Sequence, residues 1–386
     1  MLRYARARLA ALPIVVGVLG VVGVVGGCVP EPAAPAIGFS SNFGDTLFEA
    51  FLMDELERTR PEGGRRIRVM GSSVAFQGRE GSPLSAEVRR ATTLAEDPTV
   101  IVAVGPGGSR EALQVAPIYR DAGLTELIPT ATSRILAASG PTALLLAADD
   151  SVQGDFIGAF VDSVLHARAA VIIHVPDEYG VGLAAGTAAA LVARGIPLTD
   201  RIPMRLVLDC TDSTGRAAHE AIADEAALRG IPDVAVLVMQ TVEAGCLMRA
   251  MRSRFPKVRF VAGDGTDVEK ALTDRAAGAA EGAFLVAFWH PTLERPGSRN
   301  FRERFETRVG RHARHGDAMF FDATMLAGAA IRAVGAHRDR VGAYLREIGT
   351  SRPAFEGITG PISFGADAKR TLLMTRIRGA STEVVR

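Results

Sequence analysis

The sequence predicts an α/β protein built from two doubly wound parallel sheets. A chain of 386 residues is too long for one compact core and suits two lobes of roughly 150 residues each. Strand-like apolar runs alternate with helical segments along most of the chain, as in βαβ units with helices on both faces of a sheet. These runs are rich in Val and Ile, which is typical of strands buried on both faces.

The first series of elements begins near Ala36 and alternates strictly. Strands are predicted at residues 37–40, 67–71, 100–104 and 126–129, and helices at 46–58, 85–95 and 110–122. This arrangement predicts one parallel sheet covered by helices.

The second series repeats the alternation and is followed by a mixed C-terminal region. Helices are predicted at residues 152–165, 180–194, 214–229, 243–254 and 268–273, and strands at 169–174, 205–208, 234–239 and 259–262. Beyond these lie a segment at 282–288 with no assigned structure, helices at 299–309, 323–336 and 341–348, and β-rich segments at 358–364 and 372–378.

Residues 1–27 are predicted to be an export signal. Three arginines precede an apolar run over residues 9–27, as a basic n-region precedes the apolar core of a signal peptide. Small residues then stand directly before Cys28, which resembles the lipobox of bacterial lipoproteins, whose cysteine is acylated. The alternative is an uncleaved membrane anchor, since roughly 19 apolar residues just span a bilayer. Both alternatives predict an extracytoplasmic protein, on the periplasmic side or at the cell surface.

Composition after the signal limits the function further. Residues 28–35 contain three prolines and predict an extended tether. The formal net charge of the whole chain is +1, so it lacks the basic face of a nucleic-acid-binding protein. No second apolar run approaches the roughly 20 residues that cross a membrane.

The cysteines and histidines carry no recognisable metal motif. Cys210 and Cys246 either pair, as leftover cysteines in an oxidising compartment commonly do, or are small buried apolar residues. His312 and His315 stand in an arginine-rich polar stretch and are predicted to lie on the solvated surface. The sequence also lacks a Gly-x-Ser-x-Gly elbow, a Walker A motif and an HExxH motif. We therefore expect neither catalysis nor a cofactor nor a metal.

Several short segments stand out by their order and spacing along the chain. They are Asn42-Phe43-Gly44-Asp45, Gly107-Gly108-Ser109, Pro129-Thr130-Ala131-Thr132, Asp177-Glu178-Tyr179-Gly180, Gly263-Asp264-Gly265 and Gly360-Pro361-Ile362. Together they resemble the type I periplasmic binding proteins, specifically the branched-chain amino-acid (Leu/Ile/Val) substrate-binding family of ABC importers. The similarity extends over most of the chain that follows the tether.

The resemblance implies two lobes joined by three hinge crossovers, near residues 147, 284 and 357. Lobe one would contain residues 36–147 and 285–357, and lobe two residues 148–284 and 358–386. It implies a monomeric, non-catalytic receptor that closes around a small amino acid or amino-acid-like ligand with an apolar side chain. The closed form would be presented to an ABC permease in the membrane.

The resemblance also implies a ligand site between the lobes. Gly108 and Ser109 would offer a helix N-terminus to the ligand carboxylate, and Ala131 and Thr132 would bind both its carboxylate and its ammonium group. Asp264 would hold the ammonium group. From local sequence alone, Ser109 could equally be a plain N-cap and Asp264 an ordinary turn residue.

Aromatic walls complete the implied site, although some positions depart from the family pattern. Tyr179 and Phe43 would cover the ligand side chain, or they could simply pack in the core. Gln240-Thr241 replaces an aromatic pair of the family, and Arg110 and Arg134 stand beside the ligand loops with roles left open.

Two other functions remain as alternatives. The fold could serve a ligand-sensing or scaffold lipoprotein without a transport role, or an enzyme on a two-lobed α/β frame. Genes for a permease and an ATPase next to this gene would favour the importer, whereas a catalytic motif would favour the enzyme.

Replacing the acylated cysteine tests the lipoprotein prediction. We expect Cys28→Ser to leave an unprocessed, unlipidated precursor, because the thiol is the group that receives the lipid. Intact-protein mass spectrometry of the membrane fraction measures this. Lipidation of the variant at the wild-type level would contradict the prediction.

Overall fold

The structure is a computed structural model that describes residues 33–41, 46–71, 83–204, 209–267, 270–365 and 368–385. Several predictions lie outside these residues. They are the export signal, most of the tether, Cys28, Phe43 and the strand at 205–208.

The first sheet has five parallel strands. They are β1 (Ala36–Phe39), β2 (Arg68–Gly71), β3 (Val100–Val104), β4 (Thr125–Ile128) and β5 (Ala143–Leu145), in the order β2-β1-β3-β4-β5. Every residue of β1, β3 and β4 is buried, because helices cover both faces of the sheet.

The helices on the first sheet come from two separate parts of the chain, one before and one after the segment that forms most of the second sheet. They are α1 (Thr46–Arg58), α2 (Pro83–Glu96), α3 (Ser109–Asp121), the short α4 (Arg134–Ala137) and, much later, α10 (Ser298–Val309), α11 (His315–Val334) and α12 (Arg338–Glu347). Aromatic rings join the two sets: Phe51 of α1 packs against Phe305 of α10, with centroids 5.5 Å apart, and Phe301 lies 4.7 Å from Phe321 of α11. We call this sheet with these helices the first lobe.

The second sheet has seven strands. They are β6 (Ala170–His174), β7 (Leu198–Pro203), β8 (Val234–Val238), β9 (Arg259–Ala262), β10 (Phe284–Ala287), β13 (Leu373–Arg378) and β14 (Ser381–Val384), in the order β14-β13-β10-β9-β8-β6-β7. Helices α5 (Asp150–Ser163), α6 (Glu178–Ala193), α7 (Ser213–Arg229), α8 (Thr241–Arg254) and α9 (Lys270–Ala276) cover it. We call this sheet with these helices the second lobe.

The two sheets confirm the predicted fold class, with local differences. Strands β13 and β14 pair antiparallel at one edge of the second sheet. No strand is predicted at β7, because this edge strand is partly exposed and polar and lacks a continuous apolar run. Helix α11 begins at His315 rather than near residue 323, because its first turns are buried and show no polar face that would mark a helix.

Three segments of the described chain connect the lobes, after β5, after β10 and after the hairpin β11 (Phe355–Gly357) and β12 (Gly360–Ile362). All of β10 lies in the second sheet. Ile358 and Ile362 pack in the core of the first lobe. The chain therefore crosses between the lobes a few residues later than expected, after residue 287 rather than near 284 and after residue 362 rather than near 357.

Cys210 and Cys246 form a disulfide with Cα atoms 5.7 Å apart. The bond links the segment before α7 to α8 within the second lobe. A carboxylate oxygen of Asp209 lies within 4.8 Å of both sulfur atoms. Because the sulfurs are bonded to each other and Asp209 pairs with Arg275 at 2.6 Å, this group does not offer a metal site.

Among the described helices, no single one has the length and apolar composition to cross a membrane. Helices α11 and α12 meet that condition only as a pair, and they are bent by 116° at their junction.

A buried carboxylate anchors the β11–β12 hairpin. Asp322 of α11 accepts hydrogen bonds from the backbone N–H groups of Ile358 (2.9 Å) and Thr359 (2.8 Å) and from the Thr359 hydroxyl (2.6 Å). Burial raises the pKa of Asp322 to about 6, against the effect of these donors.

Removing this carboxylate should be costly. We expect Asp322→Ala to lower the free energy of unfolding by about 2–4 kcal/mol, because three buried donors lose their acceptor. Asp322→Asn keeps one acceptor oxygen and should lose less. Urea unfolding of the three proteins measures the difference, and equal stability of Asp322→Ala and wild type would contradict this account.

Candidate functional site

The carboxyl ends of the parallel strands in both sheets and the N-termini of the following helices meet at a cleft between the lobes. The cleft has a volume of about 420 Å³, within the range of small-molecule sites. Its walls comprise Gly107, Gly108, Ser109, Arg110, Glu111, Thr130, Ala131 and, from the start of α11, Arg314, His315, Gly316 and Phe320, facing Asp177, Tyr179, Gln240, Thr241, Asp264, Gly265 and Asp267.

The N-terminus of α3 forms one wall of the cleft. Gly108 is the N-cap and makes no side-chain capping bond, so the first N–H groups of this 13-residue helix are left to another acceptor. Gly105 enters this turn with φ +86°, and a Cβ there would lie 1.9 Å from the Ser40 carbonyl oxygen. The turn therefore requires glycine, and it presents a positive helix end to the cleft.

Ser109 joins this helix to the loop after β4. Its Oγ accepts hydrogen bonds from the backbone N–H groups of Thr132 and Ser133, each at 3.3 Å. The Ser109 hydroxyl proton can therefore be donated to a ligand oxygen. Ala131 lines the cleft beside it, whereas Thr132 is fully buried behind the cleft surface.

Asp264 and Tyr179 form the opposite wall, on the second lobe. The backbone N–H of Asp264 donates to Gln153 Oε1 at 3.2 Å, and that of Gly265 donates to the Tyr179 hydroxyl at 2.9 Å. A Cβ on Gly265 would lie 2.9 Å from this hydroxyl, so glycine permits the close approach. The loop after β9 is thereby held against α5 and α6.

Asp264 is the notable group of this wall. Asp264 is 9 % exposed, and no described residue donates a hydrogen bond to its buried Oδ1. Burial raises the pKa of Asp264, and the positive charge of His315 and the side chains of Gln153 and Tyr179 oppose the rise. A buried carboxylate oxygen without a donor favours a cationic or hydrogen-bond-donating ligand.

A second buried carboxyl group lies behind Asp264. Asp150 at the start of α5 is 2 % exposed, and its Oδ1 has no hydrogen-bond donor among the described residues. Burial raises the pKa of Asp150 to about 8, and the negative charge of Asp264 contributes to the rise. At neutral pH, Asp150 is therefore mostly protonated, which limits the charge repulsion around Asp264.

His315 corrects the prediction of a solvated His312–His315 pair. The side chain of His312 is 95 % exposed, but that of His315 is 9 % exposed and lines the cleft. The prediction was wrong for His315 because the start of α11 was not recognised. The signal that was missed is the start of a buried helix at Gly316 and Asp317. A helix predicted to begin there would have placed His315 at its N-terminus.

The two arginines left open by the sequence lie at the edges of the site. Arg110 is at the rim, where its Nε lies 3.1 Å from the Glu178 carboxylate of the second lobe. Arg134 is exposed and lines a separate groove with Asp150 and Gly182. Arg110 therefore joins the lobes across the mouth of the cleft.

The protonation state of Asp150 should affect stability. Since the folded pKa of about 8 exceeds that of an unfolded aspartate, folding takes up a proton between about pH 4 and pH 8. This group should therefore reduce stability by about 1.4 kcal/mol per pH unit as pH rises through that range.

Asp150→Asn should remove this contribution, so that between pH 5 and pH 7 its stability falls less steeply than that of wild type. Urea unfolding at pH 5, 6 and 7 measures the slopes. Parallel profiles of the two proteins would mean that Asp150 is ionised in the folded state.

The sequence and fold match known proteins. The profile of the periplasmic binding protein family matches residues 80–378. An amino acid binding protein of Pseudomonas aeruginosa is 24 % identical over 257 residues, which are 66 % of this chain and 63 % of that protein. The chain thus matches less than two thirds of the length of this relative.

Solved structures with the same fold include proteins with different ligands. A branched-chain amino acid transporter substrate-binding protein of Streptococcus pneumoniae, in complex with isoleucine, superposes with a TM-score of 0.77 at 20 % identity, covering 91 % of this chain and 99 % of that one. A solute-binding protein of R. palustris, in complex with benzoate, gives 0.72 at 16 % identity, covering 91 % and 95 %. The matched profile, together with the two lobes and the cleft between them, shows that this chain belongs to the periplasmic binding protein family, with the type I fold.

Proposed function

We propose that this protein is an extracytoplasmic receptor of an ABC importer that binds an amino acid between its two lobes. It makes and breaks no bonds in its ligand. The Ser109 Oγ accepts hydrogen bonds from two backbone N–H groups. Neither of these contacts involves a base that could activate the hydroxyl as a nucleophile. The cleft is therefore suited to binding.

The Asp264 carboxylate carries this proposal, because its buried Oδ1 has no hydrogen-bond donor among the described residues and the same cleft presents the N-terminus of α3. The helix N-terminus and the Ser109 hydroxyl suit a carboxylate, and Asp264 suits an ammonium group. An α-amino acid has both charges on one carbon atom. Benzoate has no cationic group and would leave Asp264 unpaired.

The contacts at the rim support closure of the lobes around the ligand. Arg110 of α3 reaches both Glu178 at 3.1 Å and Asp177 at 4.0 Å across the cleft. These side chains are partly exposed, so each pair contributes roughly 0–1 kcal/mol. Contacts this weak permit opening, as ligand exchange by hinge motion requires.

The remaining features of the function follow from the sequence and the family. We propose that Cys28 carries the lipid anchor and that a membrane permease is the partner of the closed form. We also propose that the protein acts as a monomer, with Gly108, Ser109, Ala131, Tyr179 and Asp264 as ligand contacts and Thr132 as a support for Ser109. Phe43 stays a prediction from the sequence.

Removing the Asp264 carboxylate tests this proposal. We expect Asp264→Ala to weaken amino-acid binding by more than 10-fold, because the ligand ammonium loses its buried counter-charge at a cost of roughly 2–5 kcal/mol. A thermal-shift screen of the standard amino acids identifies the ligand, and calorimetry then compares the dissociation constants of wild type and variant.

Asp274→Ala is the matched control, because Asp274 is on the surface of the same lobe and pairs with Lys270. It should bind as wild type does. Unchanged affinity of Asp264→Ala would mean that another group holds the ammonium. Binding of benzoate with no response to any amino acid would overturn the proposed ligand class.

A further inference from the structure

We infer that the cleft selects an amino acid with a neutral, hydrogen-bonding side chain, of the carboxamide type, rather than a branched aliphatic one. This inference rests on the proposed function and concerns the part of the cleft formed by His315, Asp267, Thr241 and Gln240. We call these four residues the His315 subsite.

His315 is the central group of the subsite. Its imidazole is nine-tenths buried, and its Nε2 lies 3.8 Å from Asp267 Oδ2. No described residue forms a hydrogen bond with the buried Nδ1. An unpaired ring nitrogen at the wall of a ligand cleft is stabilised when the ligand supplies the missing hydrogen bond.

The neighbours of His315 are also polar. The backbone N–H of Asp267 donates to Thr241 Oγ1 at 3.0 Å, which ties the loop after β9 to the start of α8. Gln240, the N-cap of α8, makes no side-chain capping bond and is exposed at the cleft. An aliphatic ligand side chain would offer no hydrogen bond to the Gln240 side chain or to the Nδ1 of His315.

The cleft wall around the subsite carries charges of both signs, so an ionised ligand side chain of either sign meets like charges there. A carboxylate on the ligand side chain would approach Asp267 and Asp264, both of which line the cleft, and would meet two like charges. A cationic side chain would meet Arg314 and the positive N-terminal end of α11. A carboxamide carries no charge and offers both a donor and an acceptor, so it can hydrogen-bond to Nδ1 in either neutral tautomer of His315 or in its protonated form.

Two isosteric ligand pairs test the inference by calorimetry on the full chain. Leucine and asparagine have similar shapes but differ in polarity, and glutamate and glutamine differ in charge. We expect wild type to bind asparagine at least tenfold more tightly than leucine, or glutamine at least tenfold more tightly than glutamate. We further expect His315→Leu to reduce the preference for the amide over leucine at least tenfold.

The other histidine of the same segment provides the control. His312→Leu changes an exposed side chain and should leave the preference unchanged. Gln240→Leu is a second variant at an exposed position, which should weaken the same preference even if His315→Leu fails to fold. Thermal unfolding of each variant establishes that it folds.

The outcomes separate this inference from the proposed function. Leucine binding that is as tight as amide binding, with loss of all binding in Asp264→Ala, overturns the His315 subsite and leaves the receptor function intact. An amide preference that survives both His315→Leu and Gln240→Leu also overturns it. Failure of every amino acid to bind wild type overturns both proposals.

Discussion

A buried carboxylate must have a positive or hydrogen-donating partner, and this requirement organises the cleft. Asp264 is held in place through its backbone N–H and through the neighbouring Gly265, which bond to Gln153 and Tyr179. These bonds orient the loop but leave Oδ1 unpaired among the described residues. The wall is therefore complete only when a ligand or a group from the first lobe faces Asp264.

The surrounding residues are arranged so that this charge can be tolerated. Asp150 lies close by, and its raised pKa keeps it neutral, so the two carboxyl groups do not both carry charge. His315 comes from the first lobe and lowers the pKa of Asp264 by its positive charge. The electrostatic environment of Asp264 thus depends on both lobes and should change when they separate.

The same geometry places polar groups where the sequence led us to expect an apolar pocket. Tyr179 uses its hydroxyl to hold the Gly265 backbone, so it is a structural support as well as a wall. Gln240 and Thr241 line the cleft, and the buried Nδ1 of His315 has no hydrogen-bond partner among the described residues. Under the proposed function, these residues favour a polar ligand side chain over an aliphatic one.

The sequence by itself determined the fold class and the wall residues that follow strands. Val/Ile runs alternating with helices require parallel sheets, and parallel strands bring Ser109, Ala131, Tyr179 and Asp264 to their carboxyl ends, which is a local consequence of chain direction. The tertiary structure decided what depends on packing between distant segments. Helix α11 has buried first turns, so its start and the position of His315 follow from its contacts rather than from a periodic pattern. Likewise, the Arg110–Glu178 contact joins residues 68 positions apart, and only the approach of the two lobes brings them within hydrogen-bond distance.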